Sequence, residues 1–245
     1  MNKINDKHWL ITQYISHRGY HNDICPENSI KAFENSIKNG FAIELDIHIL
    51  KDNKIVVFHD DSLKRMTGID KIIEECDYEE IKSLSLKNSK EKIPLLSDVL
   101  NLVNGKVPLL IEYKTRQFKS RILEEESWKI LKNYKGQFAI QSFNPYTLLW
   151  FKNNAPYVIR GQLSGGFLGE KMNIFKKYYL KRMIMNKKTK PDFINYEKTF
   201  LKQKYIKKIK KHLPVLSWII TNYEEMKEHN KDCNNFIFEG FDPRK

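Results

Sequence analysis

Cysteine is scarce in this 245-residue chain. Cys25, Cys76 and Cys233 are odd in number and widely separated, with no Cys-x-x-Cys pair and no Cys/His cluster. That excludes a disulfide-stapled scaffold and a zinc site of the usual spacing, and it suits a reducing compartment. Long apolar runs are missing as well. The N-terminal stretch MNKINDKHWLITQYIS has no signal-peptide core, and no segment is long enough to cross a bilayer as a helix, so a cytoplasmic protein is expected. There is no low-complexity linker and no internal repeat, which leaves one domain over residues 1–245 as the expectation. Glycine-rich phosphate loops of the Rossmann or P-loop kind are absent. LSGGFLG (163–169) spaces its glycines differently and reads as a mobile loop.

What is present is enough apolar material for a core, 41% of the residues, and a formal charge of +13. Lysine is scattered along the chain. Its densest run, KQKYIKKIKKH (202–212), reads as a helix with a solvated basic face rather than a polyanion groove. No nucleic-acid partner is expected. A basic field of this size can still attract an anionic substrate, or draw the protein peripherally to an anionic membrane.

Nine short apolar runs read as strands: 13–17, 41–49, 55–60, 107–114, 137–143, 156–163, 192–197, 213–220 and 235–240. Helical patterns lie between most of them. One is 28–39, with Ile30, Phe33 and Ile37 on one face and Gly40 as a stop; others are 120–134 and 200–212. Strand and helix in alternation argue for a parallel sheet, and about eight such units argue for an α/β protein of the closed (β/α)8 TIM-barrel type, ahead of an open doubly wound sheet. One connection breaks the pattern. Only LKDNK separates the second and third runs, too little for a crossover helix, so an extra antiparallel hairpin strand after strand 2 is expected. A two-residue turn at Asp52-Asn53 would set Lys51 opposite Lys54 and Asp46 opposite His59.

Alternation puts Glu44, Asp46 and His48 on one face of their strand and Phe41, Ile43, Leu45 and Ile47 on the other. In a parallel barrel both faces are covered, so paired acids need a cation, and two carboxylates two residues apart suit a hard divalent ion. Glu112 and Lys114 end the strand LLIEYK, and His17-Arg18 ends the first strand. Strand C-termini are where barrel enzymes place their chemistry. Acids for a cation, His17 and His59 for proton transfer, and Arg18 and Lys114 for an anion together suit phosphoester hydrolysis. Surface or supporting roles are expected for His21 and His48, and ordinary surface positions for His8, His212 and His229. Glu27 and Asn28 read equally as helix caps or as partners of Arg18.

His17-Arg18-Gly19, Pro26-Glu27-Asn28-Ser29, Glu44-Leu45-Asp46, His59-Asp60 and Glu112-Tyr113-Lys114, in that order, resemble the glycerophosphodiester phosphodiesterase family. The resemblance covers the first half of the chain closely. The second half matches more loosely, through QSF (141–143) and Trp218, and it lacks the family's usual Thr-Asp near the end. It implies hydrolysis of deacylated phospholipids to glycerol 3-phosphate and an alcohol. It also implies Glu44, Asp46 and Glu112 as ligands of one Mg²⁺ or Ca²⁺, and His17 and His59 as the acid–base pair. Arg18 and Lys114 would neutralise the phosphate, and Trp218 would line the pocket. The implied first nucleophile is the glycerol 2-hydroxyl, through a cyclic phosphate. A lysophospholipase D or phosphatidylinositol phospholipase C-like activity is the alternative within the same chemistry, and a basic-surface binding protein the alternative outside it.

Overall fold

The computed structural model describes residues 3–115 and 118–245. Nine strands occur among the described residues: β1 (Ile15–Ser16), β2 (Ala42–Ile49), β3 (Ile55–Val57), β4 (Leu109–Tyr113), β5 (Phe138–Ser142), β6 (Ile159–Ser164), β7 (Phe193–Glu197), β8 (Val215–Ile220) and β9 (Asn235–Phe238). They belong to one sheet in the order β1-β9-β8-β7-β6-β5-β4-β2-β3, and β1 also pairs with β2. Eight strands therefore close a ring, and β3 stands outside it. This is the (β/α)8 TIM-type barrel that the strand–helix alternation implies, with short helices in its connections.

The chain divides into two compact units, Ser16–Phe138 and Met1–Ile15 with Ala139–Lys245. In the first unit β2 pairs in parallel with β4, Asp46 opposite Glu112. The helix Ile30–Asn39 shows why the local sequence folds as it does. Ser29 caps it by accepting from the Ala32 amide, Ala32 and Phe33 bury its apolar side, and Gly40 ends it at φ +71°. Between β3 and β4 the chain makes an excursion with its own core, in which Leu50, Val56, Phe58, Leu63, Met66 and Ile73 pack together.

β3 runs antiparallel to β2 with Ile47 opposite Val57 and Ile49 opposite Ile55. That register corrects the expected one. The loop has three residues, Lys51 to Asn53: the Asn53 amide donates to the Leu50 carbonyl, the Leu50 amide donates to Lys54, and Asn53 takes φ +62°. A type I turn followed by a left-handed residue is the three-residue hairpin solution, and Asn supplies that residue as readily as it supplies a two-residue turn. Asp46 is consequently opposite Phe58, whose amide donates to the Asp46 carbonyl, and His59 lies beyond the end of β3.

In the second unit β5 to β9 pair in parallel. Met183, Ile194, Tyr196, Leu201, Ile206 and Val215 form a core cluster there. The lysine run at 202–212 contains the helix Lys204–Lys210, with Ile206 buried and Lys204, Lys207 and Lys208 exposed. His229 corrects its surface reading: it is buried at the end of the helix Tyr223–His229. All three cysteines are free thiols. No helix among the described residues is long and apolar enough to cross a membrane.

Candidate active site

β2 and β4 bury Glu44, Asp46 and Glu112, each with a carboxylate oxygen within 4.8 Å of the others. The next residue on β4, Tyr113, points the opposite way and meets Ser127 of the helix Ile122–Leu131 at 2.8 Å. Alternation thus separates the acid from the core ring, as it does along β2.

The turn after β1 supplies the first counter-charge. Arg18 has φ +52° and Gly19 φ +80°. A Cβ on Gly19 would also lie 2.9 Å from Ala32, so only glycine fits. This tight path aims the Arg18 amide at Glu44 Oε2 (3.0 Å) and the Gly19 amide at the Glu44 carbonyl (3.2 Å). The Arg18 guanidinium donates to Glu27 Oε1 at 2.6 Å, and its Nε lies 3.4 Å from Asp46 Oδ2. Asn28 donates to Asp46 Oδ2 at 2.9 Å from a left-handed backbone (φ +55°). The Pro26-Glu27-Asn28-Ser29 motif therefore resolves into three tasks: Glu27 holds Arg18, Asn28 holds Asp46, and Ser29 caps the helix.

Lys114 follows β4. Its ammonium lies 2.5 Å from Glu112 Oε1 and 3.1 Å from Asp46 Oδ1. Both oxygens are buried, and Lys114 is the cation that faces them. Burial pushes the Asp46 carboxyl up, but Lys114, His59, Arg18 and His17 outweigh it and hold it far below its ordinary value. Burial with Asp46 and Glu112 close by holds Glu44 well above the usual carboxylate range, and burial raises Glu112 against the pull of Lys114. One acid thus stays ionised while its neighbours are driven towards neutrality. With all three ionised, the carboxylates would carry more negative charge than Lys114 and Arg18 offset, and Asp46 Oδ1 and Glu112 Oε1 face Lys114. An oxygen-only donor set of this kind fits Mg²⁺ or Ca²⁺.

His17 follows β1 and is buried; its charge acts on Asp46. His59 lies within electrostatic reach of the same carboxylate. Its placement does not come from strand pairing. His48, wholly buried on β2, donates from Nε2 to the His59 carbonyl at 3.2 Å, and His59 Nδ1 donates to Asp60 Oδ1 at 2.6 Å. Asp60 thereby fixes the ring and its tautomer, leaving Nε2 as the unprotonated nitrogen of the neutral imidazole. Burial, helped by Lys114 and Arg18 against Asp46, lowers His59 to about 4, so the free site holds a neutral imidazole at neutral pH.

Sequence reading missed Arg65. From the short helix Lys64–Thr67 it donates to both oxygens of Glu27 (2.7 Å each) and to both of Asp60 (2.6 and 2.9 Å). One guanidinium therefore ties the carboxylate that holds Arg18 to the carboxylate that holds His59. Burial raises both acids, but Arg65, with Arg18 at Glu27 and His59 at Asp60, brings each down to about 2. The available signal was that Asp60, beside a histidine, needed a cation of its own within a turn or two.

In the second unit Trp218 is half-buried on β8, with its ring edge-on to Phe143 at 5.7 Å; Phe143 in turn meets Phe167 at 5.8 Å. Asn222 caps the helix Tyr223–His229 by accepting from the Glu225 amide.

Barrel strands ending in buried acids, flanked by Arg, Lys and two histidines, define a class of protein: hydrolases of phosphate esters. The particular family is identified by its sequence profile. The profile described as the Glycerophosphoryl diester phosphodiesterase family matches residues 17–236, and the chain belongs to that family. A glycerophosphodiester phosphodiesterase of Caldanaerobacter subterraneus is 35% identical over 162 residues, which take in 62% of this chain and 66% of that protein, just under two thirds of its length. A human lysophospholipase D is 30% identical over 144 residues, 54% of this chain and 44% of that one. Among solved structures, an Oleispira antarctica phosphodiesterase in complex with the product sn-glycerol-3-phosphate superposes with a TM-score of 0.79 at 21% identity, over 93% of both chains.

Proposed function

We propose that this protein hydrolyses glycerophosphodiesters to sn-glycerol 3-phosphate and an alcohol, with one divalent cation, Mg²⁺ or Ca²⁺. The observation that carries the reading is the buried cluster of Glu44, Asp46 and Glu112 between Arg18 and Lys114. Those three carboxylates would hold the ion. When bound, it supplies positive charge against the phosphate and its transition state.

The chain's own residues do the rest. Arg18 and Lys114 bind the phosphoryl oxygens and spread their charge. One of His17 and His59 takes the proton of the glycerol 2-hydroxyl as its oxygen bonds to phosphorus. The other gives a proton to the departing alkoxide as its phosphorus–oxygen bond breaks. Water then opens the cyclic diester with the roles exchanged, and both histidines return to their first state. Glu27, Asp60 and Arg65 keep Arg18 and His59 in position, and Trp218 is assigned to the organic part of the substrate by the family resemblance alone. Lysophospholipids are a second substrate class, favoured by the match to the human lysophospholipase D.

The deciding experiment is release of glycerol 3-phosphate from glycerophosphocholine, glycerophosphoethanolamine and glycerophosphoglycerol, with lysophosphatidylcholine alongside. It is run after EDTA and after return of Mg²⁺ or Ca²⁺. Cation-dependent release from at least one diester is expected. Release that EDTA leaves untouched would remove the metal, and full activity in His17→Ala or His59→Ala would remove the two-histidine scheme.

A further inference from the structure

Outward helix faces are normally polar, because exposed apolar surface gains nothing from folding. The helix Ile174–Lys181 departs from this rule. Its inner side is conventional: Leu180 is buried and its carbonyl accepts from Ser164. Its outer side carries Ile174 at 74%, Phe175 at 81% and Tyr178 at 58% exposure. Spacings of three and four residues make these three side chains neighbours on the helix surface. Leu168, at 73%, lies in the loop that leads into the helix, and Ile184, at 44%, follows it.

The charges around these side chains are nearly all of one sign. Residues 168–190 contain seven lysines and Arg182 against one acid, Glu170. Two of the cations are braced on aromatic rings: Arg182 lies 4.2 Å from the Tyr205 ring centroid, and Lys181 lies 4.7 Å from that of Phe200. Apolar tips surrounded by lysine are the composition of an interfacial helix, which sinks its apolar side chains among acyl chains and sets its cations on anionic headgroups.

We propose that residues 168–184 seat the protein on an anionic lipid surface. A second copy of the chain is a poor occupant, because a two-fold contact would set this one-signed charge against itself. A nucleic acid would use the lysines and leave Leu168, Ile174 and Phe175 in water. The seat also adjoins the aromatic group around Trp218, because Phe167, next to Leu168, packs on Phe143 and Phe143 on Trp218. The inference does not rest on the proposed activity, and its test uses no catalytic readout.

The test is co-sedimentation of the full chain with vesicles of phosphatidylcholine alone and of phosphatidylcholine mixed with phosphatidylglycerol. Wild type is expected to sediment with the mixed vesicles, not with phosphatidylcholine alone, and to release as salt rises. Ile174→Ser with Phe175→Ser should lower partitioning about tenfold or more. Lys171→Gln with Lys177→Gln should lower it roughly fivefold or more. Both double variants should melt with wild type, because the replaced side chains are largely outside the core. Absence of wild-type binding to the mixed vesicles overturns the proposal. So does binding unchanged by the Ile174/Phe175 substitutions, which would leave bare electrostatics. A concentration-dependent dimer that the same substitutions abolish would assign the face to a second copy instead.

Discussion

The two compact units bury polar side chains in opposite ways. In residues 16–138 β2 and β4 bury three acids, Glu44, Asp46 and Glu112, beside His48. In residues 139–245 β5, β6 and β7 bury three amides, Gln141, Gln162 and Asn195, beside Ser142, Ser164 and Arg160. The amides donate to each other and to the backbone: Asn195 donates to Gln141 at 2.8 Å, and Gln162 donates to the Ser142 carbonyl at 3.0 Å, while Gln162 Oε1 and Asn195 Oδ1 accept no hydrogen bond among the described residues. An amide brings donors and acceptors together, so a buried set can close on itself. A carboxylate brings acceptors alone. The acids must therefore recruit Arg18, Lys114 and Asn28, and with all three ionised their charge would still exceed what these supply. The amide set leaves neutral oxygens open and needs no counter-charge, whereas the acid set concentrates carboxylates whose ionised forms call for a cation.

The sharpest way to break this comparison is to make the acid side resemble the amide side. Asp46→Asn or Glu44→Gln is expected to lower diester hydrolysis by at least about 10³-fold, since each removes a carboxylate proposed to hold the metal against the phosphate. In metal-free protein Glu44→Gln should melt at or above the wild-type temperature, because it removes a buried like charge. A large loss of metal-free stability would mean that the acids are structural. Next in size, His17→Ala and His59→Ala should each cost roughly 10² to 10⁴-fold in kcat, the usual weight of a general acid or base.

Arg65→Gln comes third. The bonds of Arg65 go to Glu27 and Asp60 rather than to the three acids of the cluster, and the substitution releases both. A loss of about 10 to 100-fold is expected, the scale seen for groups that orient others. Its second readout is acid stability. Glu27 and Asp60 both have folded values near 2, depressed from 4.5 and 3.8. Their contribution is therefore fully present above about pH 4.5 and is lost as pH falls through about 2. Wild type should lose melting temperature over that window more steeply than Arg65→Gln, and parallel curves would dissolve the clamp. The smallest effect belongs to the amide unit. Trp218→Ala should raise KM a few-fold and change kcat less, the mark of a residue that binds substrate in its ground and transition states alike.

Much of this was legible in the sequence because strand alternation and motif order are local. Glu44-x-Asp46 had to share a face, and the strand–helix alternation implied a barrel. What could not be read depended on longer-range geometry. The hairpin register failed by one residue because Asp52-Asn53 suits a two-residue turn as well as the tail of a three-residue one. Anchoring from Cys76, which accepts from the Lys51 amide, lies far along the chain. Arg65 escaped because it belongs to an excursion with no motif of its own. Glu27 and Asn28, evenly balanced between capping and bracing, are both braces, and Ser29 alone caps the helix.

We propose that Glu44, Asp46 and Glu112 are gathered for a divalent cation. Thermal melting of EDTA-treated protein titrated with Mg²⁺ and with Ca²⁺, wild type beside Glu44→Gln, tests it most directly. The account predicts a saturable rise in the wild-type melting temperature with at least one ion, and none in Glu44→Gln. A wild type that ignores both ions, or a Glu44→Gln variant that responds equally, would contradict it.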